Sequence, residues 1–379
     1  MTASATRLDR IRERLEQANV DALLVTNPHN RRYASGFTGS NGWLLIPASG
    51  SSPPALATDF RYLEQAAQES PEFEIVNMKG GIEQWWGELA RPLGRGRLGF
   101  ESNDVTVAAH KQLRDVNAKL PASQRPALVQ TDQIIEQVRA LKDDAELALL
   151  RQAVALTDDA FAHAQRTIQP GWTEQRVSWE IEQYARSNGA DGMAFESIVA
   201  AGPWGARPHA RPRDEVIDEG QPIVIDMGAR WHGYCADMTR TIVLGEHDET
   251  FPRIYDIVLA AHETAAQMVE PGMSAKDADQ LARQVITDAG YGDQFGHGLG
   301  HGVGLQIHEK PYLGVTSKDT LEAGMVITIE PGIYLPDWGG VRIEDMGLLD
   351  DDGFHSFTGT PKLRMPFPAS PRWGEAAEG

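Results

Sequence analysis

The sequence predicts an α/β protein of mixed α+β type, built as a smaller N-terminal domain followed by a larger one. Three observations predict it. A chain of 379 residues exceeds one ordinary domain and fits two. Helix-like and strand-like segments alternate through the first part, as in a compact α/β layer structure. Beyond a long helical pattern that starts near residue 143, apolar helical runs mix with strand pairs that carry acidic residues.

Residues 7–17 have helical character, and the apolar run 22–26 reads as a short buried strand ended by Asn27-Pro28. The Gly/Ser/Thr stretch 36–42 leads into a second strand from Trp43, and 98–101 is another. Residues 121–126 form a Pro-flanked loop. The long helix over 143–166 takes Asp143 or Asp144 as its cap. The domain boundary is placed at 140, giving domains over 1–140 and 141–360. Further helices are expected over 172–187, 251–269 and 275–289. The segments 168–173 and 269–274 share a Pro-Gly followed two residues on by Thr or Ser, which suits either an internal duplication or two common helix-linking turns. The tail 361–379, rich in Pro, Ala, Gly and Glu, is expected to be loosely ordered.

Composition narrows the function classes. An apolar fraction of 41% and a charged fraction of 23% are those of a soluble globular protein. No run approaches the ~20 apolar residues of a membrane helix. The charged first 17 residues lack the apolar core of a signal peptide, so a cytoplasmic protein is expected. The lone Cys235 excludes an internal disulfide and a multi-cysteine zinc site. A net charge of −19 repels nucleic acid and anionic membranes. Most of that charge belongs to an ordinary acidic surface, and bound cations would neutralise part of the rest.

The chemistry gathers in three segments. The apolar strand 223–226 ends on Asp226, turns through 228–233 and returns past Asp237. These two acids are symmetric about the midpoint between Trp231 and His232. In an unbulged hairpin centred there they face each other, with β-carbons ~5 Å apart. Glu330 and Glu344 are likewise symmetric about Asp337 across a Pro- and Gly-rich turn. Each acid emerges from an apolar strand, where an unpaired charge is costly. Two facing pairs therefore call for a shared cation.

Between the pairs lies Gly296-His297-Gly298-Leu299-Gly300-His301-Gly302-Val303-Gly304-Leu305-Gln306-Ile307-His308-Glu309. Glycine at this density argues against a helix and for an extended or looped backbone. His297 and His301 then share a face, whereas His308, at an odd offset, needs a bend to join them. The segment is neither a phosphate loop nor an HExxH zinc helix. Hard oxygen donors with one or two imidazoles suit a pair of divalent metal ions, with Mn²⁺ favoured and Co²⁺ or Zn²⁺ as alternatives. Two ions ~3.5–4 Å apart would share a hydroxide nucleophile for hydrolysis.

At these residues the chain resembles the creatinase/methionine-aminopeptidase superfamily, whose fold is called pita-bread, and within it the Xaa-Pro peptidases. The resemblance spans nearly the whole chain, including a creatinase-like N-terminal domain, and the five ligand positions match in type, order and spacing. It implies that Asp226, Asp237, His301, Glu330 and Glu344 hold the metals, with Asp237 and Glu344 bridging. It implies that Glu330 moves the proton from the attacking hydroxide to the leaving nitrogen. His209 would contact substrate near the scissile bond, and His308 would support the carbonyl oxygen as charge builds on it. His297 and Arg342 match positions that bind substrate or support the ligands from behind.

The implied substrate is a peptide with proline in second position. A bond before proline is a tertiary amide with no N–H for strand-like recognition, which a metal centre with a ring pocket does not need. Residues 32–40 look more like aminopeptidase P than prolidase, so an Xaa-Pro aminopeptidase is expected ahead of an Xaa-Pro dipeptidase. Gln306 departs from the acidic residue of many relatives. A homodimer is expected by resemblance. Bacterial methionine aminopeptidase lacks an N-terminal domain of this size, and non-catalytic relatives have usually lost ligands that are all present here. His232 is expected to be a solvated hairpin tip, Trp85-Trp86 core or an interface edge, and Cys235 a packing residue.

Overall fold

A computed structural model describes residues 3–50, 52–169 and 171–362. The chain separates into two compact units, Met1–Arg139 and Ala140–Gly379. The tail expected to be loosely ordered lies outside the described residues beyond Lys362. Among the described residues no helix is long and apolar enough to cross a membrane.

The first unit is a mixed six-stranded sheet covered by helices. In chain order its elements are α1 (Ala3–Gln17), β1 (Ala22–Val25), α2 (Pro28–Ser35), β2 (Trp43–Pro47), β3 (Ala55–Thr58), α3 (Leu63–Glu69), β4 (Glu74–Asn77), α4 (Ile82–Ala90), β5 (Arg97–Glu101), α5 (Val107–Ala118), β6 (Ala127–Thr131) and α6 (Ile134–Ala140). The strand order is β4-β3-β2-β1-β5-β6. Leu24, Leu45, Leu98, Phe100, Leu113 and both Trp85 and Trp86 form its core, so the paired tryptophans are core. Asn27-Pro28 ends a strand and also starts a helix. The Asn27 side chain accepts from the N–H groups of His29 and Asn30, and proline sits at the first helical position, where its missing N–H costs nothing. The glycine-rich stretch after α2 is tied down by Arg31, which donates to the carbonyls of Gly39 and Gly42.

The second unit repeats one plan twice. Its first half comprises α7 (Asp144–Thr167), α8 (Glu174–Ser187), β7 (Gly192–Met193), β8 (Ile198–Ala201), β9 (Pro222–Met227), β10 (Ala229–Trp231), β11 (Tyr234–Cys235) and β12 (Met238–Val243). Its second half comprises α9 (Thr250–Met268), α10 (Ala275–Asp288), β13 (Gly300–Gly302), β14 (Glu309–Leu313), β15 (Met325–Ile329), β16 (Gly332–Leu335), β17 (Gly339–Arg342), β18 (Asp345–Asp350) and β19 (Gly353–Ser356). Asp143 caps α7 in a capping box with Glu146.

The antiparallel trio β8-β9-β12 of the first half corresponds to β13-β15-β18 of the second. The linking turns correspond as well. Gly171 and Gly272 have φ of +90° and +88°. Thr173 and Ser274 each cap the next helix with their hydroxyls. Each then bridges to a later strand-like segment, Thr173 to Val216 and Ser274 to Thr320. The duplication hinted at by the two Pro-Gly segments is therefore carried through helices, turns and sheets.

Each half has its own core. Phe161, Val177, Ile181, Ile223 and Ile225 belong to the first. Val258, Ala261, Ala265, Ala278, Ala282, Ile286, Ile327 and Ile329 belong to the second. The helical members recur at three- and four-residue spacing, which lays one apolar stripe of each helix on its sheet. With both sheets pinned this way, the strand ends that carry the acids are rigidly held.

Candidate metal centre

The first hairpin brings Asp226 and Asp237 to one face, in a different register from the expected one. Its turn is His232-Gly233, both at positive φ (46° and 81°). Trp231 pairs with Tyr234, so only two residues form the loop. Such a turn matches the right-handed twist of the strands, and glycine reaches its conformation without steric cost. The hairpin is thereby centred one residue later than the midpoint between Trp231 and His232. Asp226 stands opposite Thr239, and Asp237 is diagonal to Asp226 instead of facing it. This corrects the expected direct opposition. A shift of two leaves side-chain alternation unchanged, so both acids still share a face. His232 is the exposed tip.

The second hairpin has its turn centred on Asp337. Leu335 pairs with Gly339 and Gly332 with Arg342, and the ladder resumes with Ile329 opposite Asp345. Glu330 and Glu344 occupy the gap between the two ladders, at mutually opposite positions. The hairpins are sewn together where the acids lie. Thr239 Oγ1 donates to Glu344 Oε2 at 2.8 Å, and the Glu344 N–H donates to the Thr239 carbonyl at 3.1 Å.

His301 enters from β13. Its backbone N–H donates to Thr328 Oγ1 at 3.1 Å, and its Nδ1 lies 3.1 Å from the Gly302 carbonyl. An imidazole that donates from Nδ1 presents a bare Nε2. That Nε2 lies 3.5 Å from both Asp237 Oδ2 and Glu330 Oε1. The bend needed for His308 is present as a register shift between His301 and Gly302, followed by a loop that returns the His308 ring to 4.4 Å from that of His301.

One ligand atom each from Asp237, His301 and Glu344 lie within 4.8 Å of one another. Asp226 is turned instead to Arg342, whose Nη2 donates to its Oδ2 at 2.6 Å. Asp345, the residue after Glu344, takes Arg240 and Lys362 instead of Arg342. Arg342 also donates to Thr239 Oγ1 at 3.0 Å and to the Tyr334 hydroxyl at 2.9 Å. The Tyr334 hydroxyl lies 2.8 Å from His297 Nε2, while His297 Nδ1 lies 2.8 Å from the Gly298 carbonyl. A chain His297–Tyr334–Arg342–Asp226 results.

The electrostatics are those of crowded, buried acids beside neutral imidazoles. Burial, and then repulsion from Glu344, Asp226 and Glu330, push the Asp237 carboxyl well above its usual range. Burial and the charges of Glu330 and Asp226 do the same to Glu344. Burial raises Glu330 to about 8. Burial lowers His301 to about 3 and His297 to about 4, which keeps both imidazoles neutral and able to offer a lone pair. Burial and the neighbouring His209 lower His308, against the pull of Asp226. Burial disfavours the charge of Arg342, but Tyr334, Asp226, Glu330 and Glu344 outweigh it and hold the guanidinium charged.

The residues present fit divalent ions. Asp226 Oδ1 is buried with no hydrogen-bond partner. His301 aims a lone pair at two carboxylates, an arrangement of acceptors facing acceptors that a cation resolves. Four carboxylates and one imidazole form a hard donor set suited to ions such as Mn²⁺. The acids and His301 form the floor of a cavity of about 540 Å³, with His209, His297, His308 and Arg342 in its wall. His209 and His308 are exposed to the cavity. Phe195, Ile198, Ile307 and Leu313 add an apolar wall. Such a site can hold a peptide carbonyl and a small apolar ring beside two metal ions.

Reading the sequence missed Tyr334, Thr239 and Thr328. Tyr334 lies four residues beyond Glu330 in one extended run and Thr328 two before it, even offsets that place them on its face. Thr239 becomes visible only once the turn at His232-Gly233 sets the register.

Residues 148–351 match the profile of metallopeptidase family M24, and residues 7–141 that of the creatinase/prolidase N-terminal domain. The Xaa-Pro dipeptidase of Pyrococcus furiosus is 34% identical over 94% of this chain and 98% of its own length. The structure of an Xaa-Pro dipeptidase from Bacillus anthracis superposes with a TM-score of 0.88 at 37% identity, covering 95% of this chain and 99% of that one. The X-Pro aminopeptidase from Thermotoga maritima superposes with a TM-score of 0.82 at 34% identity, covering 92% and 99%.

Proposed function

The chain belongs to metallopeptidase family M24, and on that premise we propose that it is a dinuclear-metal exopeptidase that cleaves the bond before proline. The observation that carries the reading is the convergence of Asp237, His301 and Glu344 within 4.8 Å, with Glu330 against His301 and a buried, unpartnered oxygen on Asp226. In this reading Asp226, Asp237, His301, Glu330 and Glu344 hold two divalent ions, with Mn²⁺ favoured by the oxygen-rich donors. The ions, when bound, supply a water activated at neutral pH and a Lewis acid for the scissile carbonyl.

The chain's own residues do the rest. Glu330, at the cavity floor, is placed to accept the proton of the attacking water and return it to the proline nitrogen. His308 donates to the carbonyl oxygen as charge develops there. His209, in the opposing wall, contacts substrate beside the scissile bond. His297, held by Tyr334, lines the pocket. Arg342 orients Asp226 and, through Thr239, Glu344. The homodimeric state and cytoplasmic location expected from the sequence belong to the same proposal.

Of the two substrate lengths, the dipeptide is the better supported. The relatives from Pyrococcus furiosus and Bacillus anthracis are named Xaa-Pro dipeptidases, which moves the balance away from the aminopeptidase favoured by residues 32–40. One observation keeps the longer substrate in play. A dipeptide carries a carboxylate one residue from the scissile bond, yet the arginines of the cavity wall are occupied. Arg342 is committed to Asp226, Tyr334 and Thr239, and Arg211 is an exposed residue paired with Glu196 at 3.4 Å. The deciding experiment compares kcat/KM for Xaa-Pro, its C-terminal amide and Xaa-Pro-Yaa with each metal added separately. A dipeptidase prefers the free acid; an aminopeptidase prefers the tripeptide. Absence of hydrolysis of all three with any divalent ion would sink the reading.

A further inference from the structure

We propose that Glu309 and Lys142, a buried ion pair behind the cavity wall, are positioning residues that set the place of His308. The proposal rests on the reading of the chain as an Xaa-Pro peptidase in which His308 meets the substrate carbonyl.

Lys142 Nζ lies 2.8 Å from Glu309 Oε1, with side-chain exposures of 0% and 4%. An ion pair so buried is weak evidence for stability, because desolvation offsets most of the Coulomb attraction. Geometry gives it a different use. Glu309 opens β14 directly after His308, the last residue of the loop that leads into it. His308 lines the cavity, and Glu309 points away into the protein.

The loop between β13 and β14 is folded around this carboxylate. Glu309 Oε2 is approached by the Gln306 N–H at 3.4 Å. A β-carbon at Gly304 would stand 2.3 Å from Glu309 Oε1, so only glycine lets the backbone pass that close. The Gly304 N–H donates to the Gln306 carbonyl, and the Gly304 carbonyl accepts from Cys235 N–H, which ties the loop to the first hairpin. Lys142 is fixed in turn. Its N–H donates to the Gly324 carbonyl, and Leu141 bridges to Met325 at the start of β15. The ammonium thus anchors the carboxylate to the sheet that carries Glu330, and the carboxylate sets the backbone from which His308 projects.

A misplacement of ~1 Å at a reacting group can cost ~100-fold in rate, so loosening this anchor is expected to act on turnover more than on binding. The test is a double-mutant cycle on metal-loaded enzyme with an Xaa-Pro peptide. Glu309→Gln is expected to lower kcat at least ten-fold with KM changed less than three-fold and bound metal unchanged. In a His308→Ala background the same substitution is expected to change kcat less than two-fold. Equal losses in both backgrounds, or no loss in the first, overturn the proposal.

Lys142→Arg, which keeps the charge, is expected to retain most of the rate. A Lys142→Arg loss as large as that of Glu309→Gln also overturns it. If Glu309→Gln does not fold, Glu309→Asp, which keeps the charge but withdraws it by one methylene, goes through the same cycle with the same outcomes. A readout independent of catalysis is amide hydrogen exchange of the metal-free protein: exchange over residues 303–308 should rise at least ten-fold in Glu309→Gln, and unchanged exchange counts against the anchor. An inactive wild-type enzyme would defeat the peptidase reading itself, while the exchange result would still report on the anchor.

Discussion

The two hairpins of the second unit carry equivalent acids on equivalent strands, yet they solve the same electrostatic problem differently. In the second, a three-residue turn centred on Asp337 sets Glu330 directly across from Glu344, and among the described residues the one arginine that acts on both, Arg342, is ion-paired to Asp226 instead. In the first, the two-residue turn at His232-Gly233 moves Asp237 to the diagonal of Asp226. Asp226 is then free to pair with Arg342, which itself comes from the second hairpin. Asp226 is thus neutralised by an ion pair, while burial and mutual repulsion push the carboxyls of Asp237, Glu330 and Glu344 toward the protonated form. Register decides which acid takes which route.

The largest effect should come from removing a carboxylate of the tight cluster. Asp237→Ala and Glu344→Ala each delete a donor that lies within 4.8 Å of the others. Each is expected to cut kcat/KM by more than ~10³-fold, about 4 kcal/mol of transition-state stabilisation, with bound metal reduced in parallel. Metal analysis of the purified variants beside rate measurements checks this. Full activity of Asp237→Ala without metal would remove the metal centre from the mechanism altogether.

Much of this site was legible before the fold was seen, and the reasons are physical. Acids at the ends of apolar strands are conspicuous because burial makes them costly, and hairpin symmetry about Asp337 returned the correct facing pair. The same arithmetic failed by one residue at Asp226 and Asp237, because a His-Gly pair is a weaker turn signal than Asn-Gly and its left-handed conformation went unread. Helices with clear caps, such as the one opened by Asp143, were visible from local chemistry. Asn27-Pro28 was read as a strand end only, since cap and terminator use the same residues. The His297–Tyr334–Arg342–Asp226 chain was hidden because its links run through side chains, the last of them between residues 116 apart in sequence.

Arg342 offers a way to break the comparison. Arg342→Met leaves the partly buried Asp226 without its ion pair in the metal-free protein, which is expected to lose ~2–3 kcal/mol of stability. In the proposed centre divalent ions would supply Asp226 with another positive partner, so the loss should shrink to less than half once metal saturates the site. Urea unfolding with and without Mn²⁺ measures both values. An equal loss in the two states would show that Arg342 acts only as a packing residue, and Asp226 would not then be the acid that exchanges arginine for metal.

The protonated route makes a pH prediction of definite sign. Glu330 has its folded pKa raised from 4.5 to about 8, and Asp237 and Glu344 are raised in the same direction. Between the unfolded and folded values the native state binds more protons than the unfolded state, so stability falls as pH rises through that window. For Glu330 the contribution is fully present below about 4.5 and is lost by about pH 8. Metal-free protein should therefore weaken from pH 5 to 8, whereas metal-loaded protein should not. Binding should release protons, and calorimetry in buffers of different ionisation enthalpy counts them. Zero release at pH 7 would mean that the three acids are already ionised.

The smallest effect isolates the turns. Gly233 sits at φ 81°, so Gly233→Ala is strained and is expected to cost ~1 kcal/mol. Asp337, exposed at the other turn, should tolerate alanine within ~0.5 kcal/mol. The informative outcome is in the chemistry that follows. A strained two-residue loop can relax by lengthening, which would slide β12 against β9 toward the register in which Asp237 faces Asp226 directly. That register separates Asp226 from its position opposite Thr239, and Thr239 is the residue through which Arg342 reaches Glu344. Gly233→Ala should therefore weaken metal affinity by a few-fold, out of proportion to its stability cost, while Asp337→Ala leaves affinity unchanged. Parallel titrations of the two variants with Mn²⁺ decide it: equal affinities would show that the register of the first hairpin is set by its strands and not by its turn.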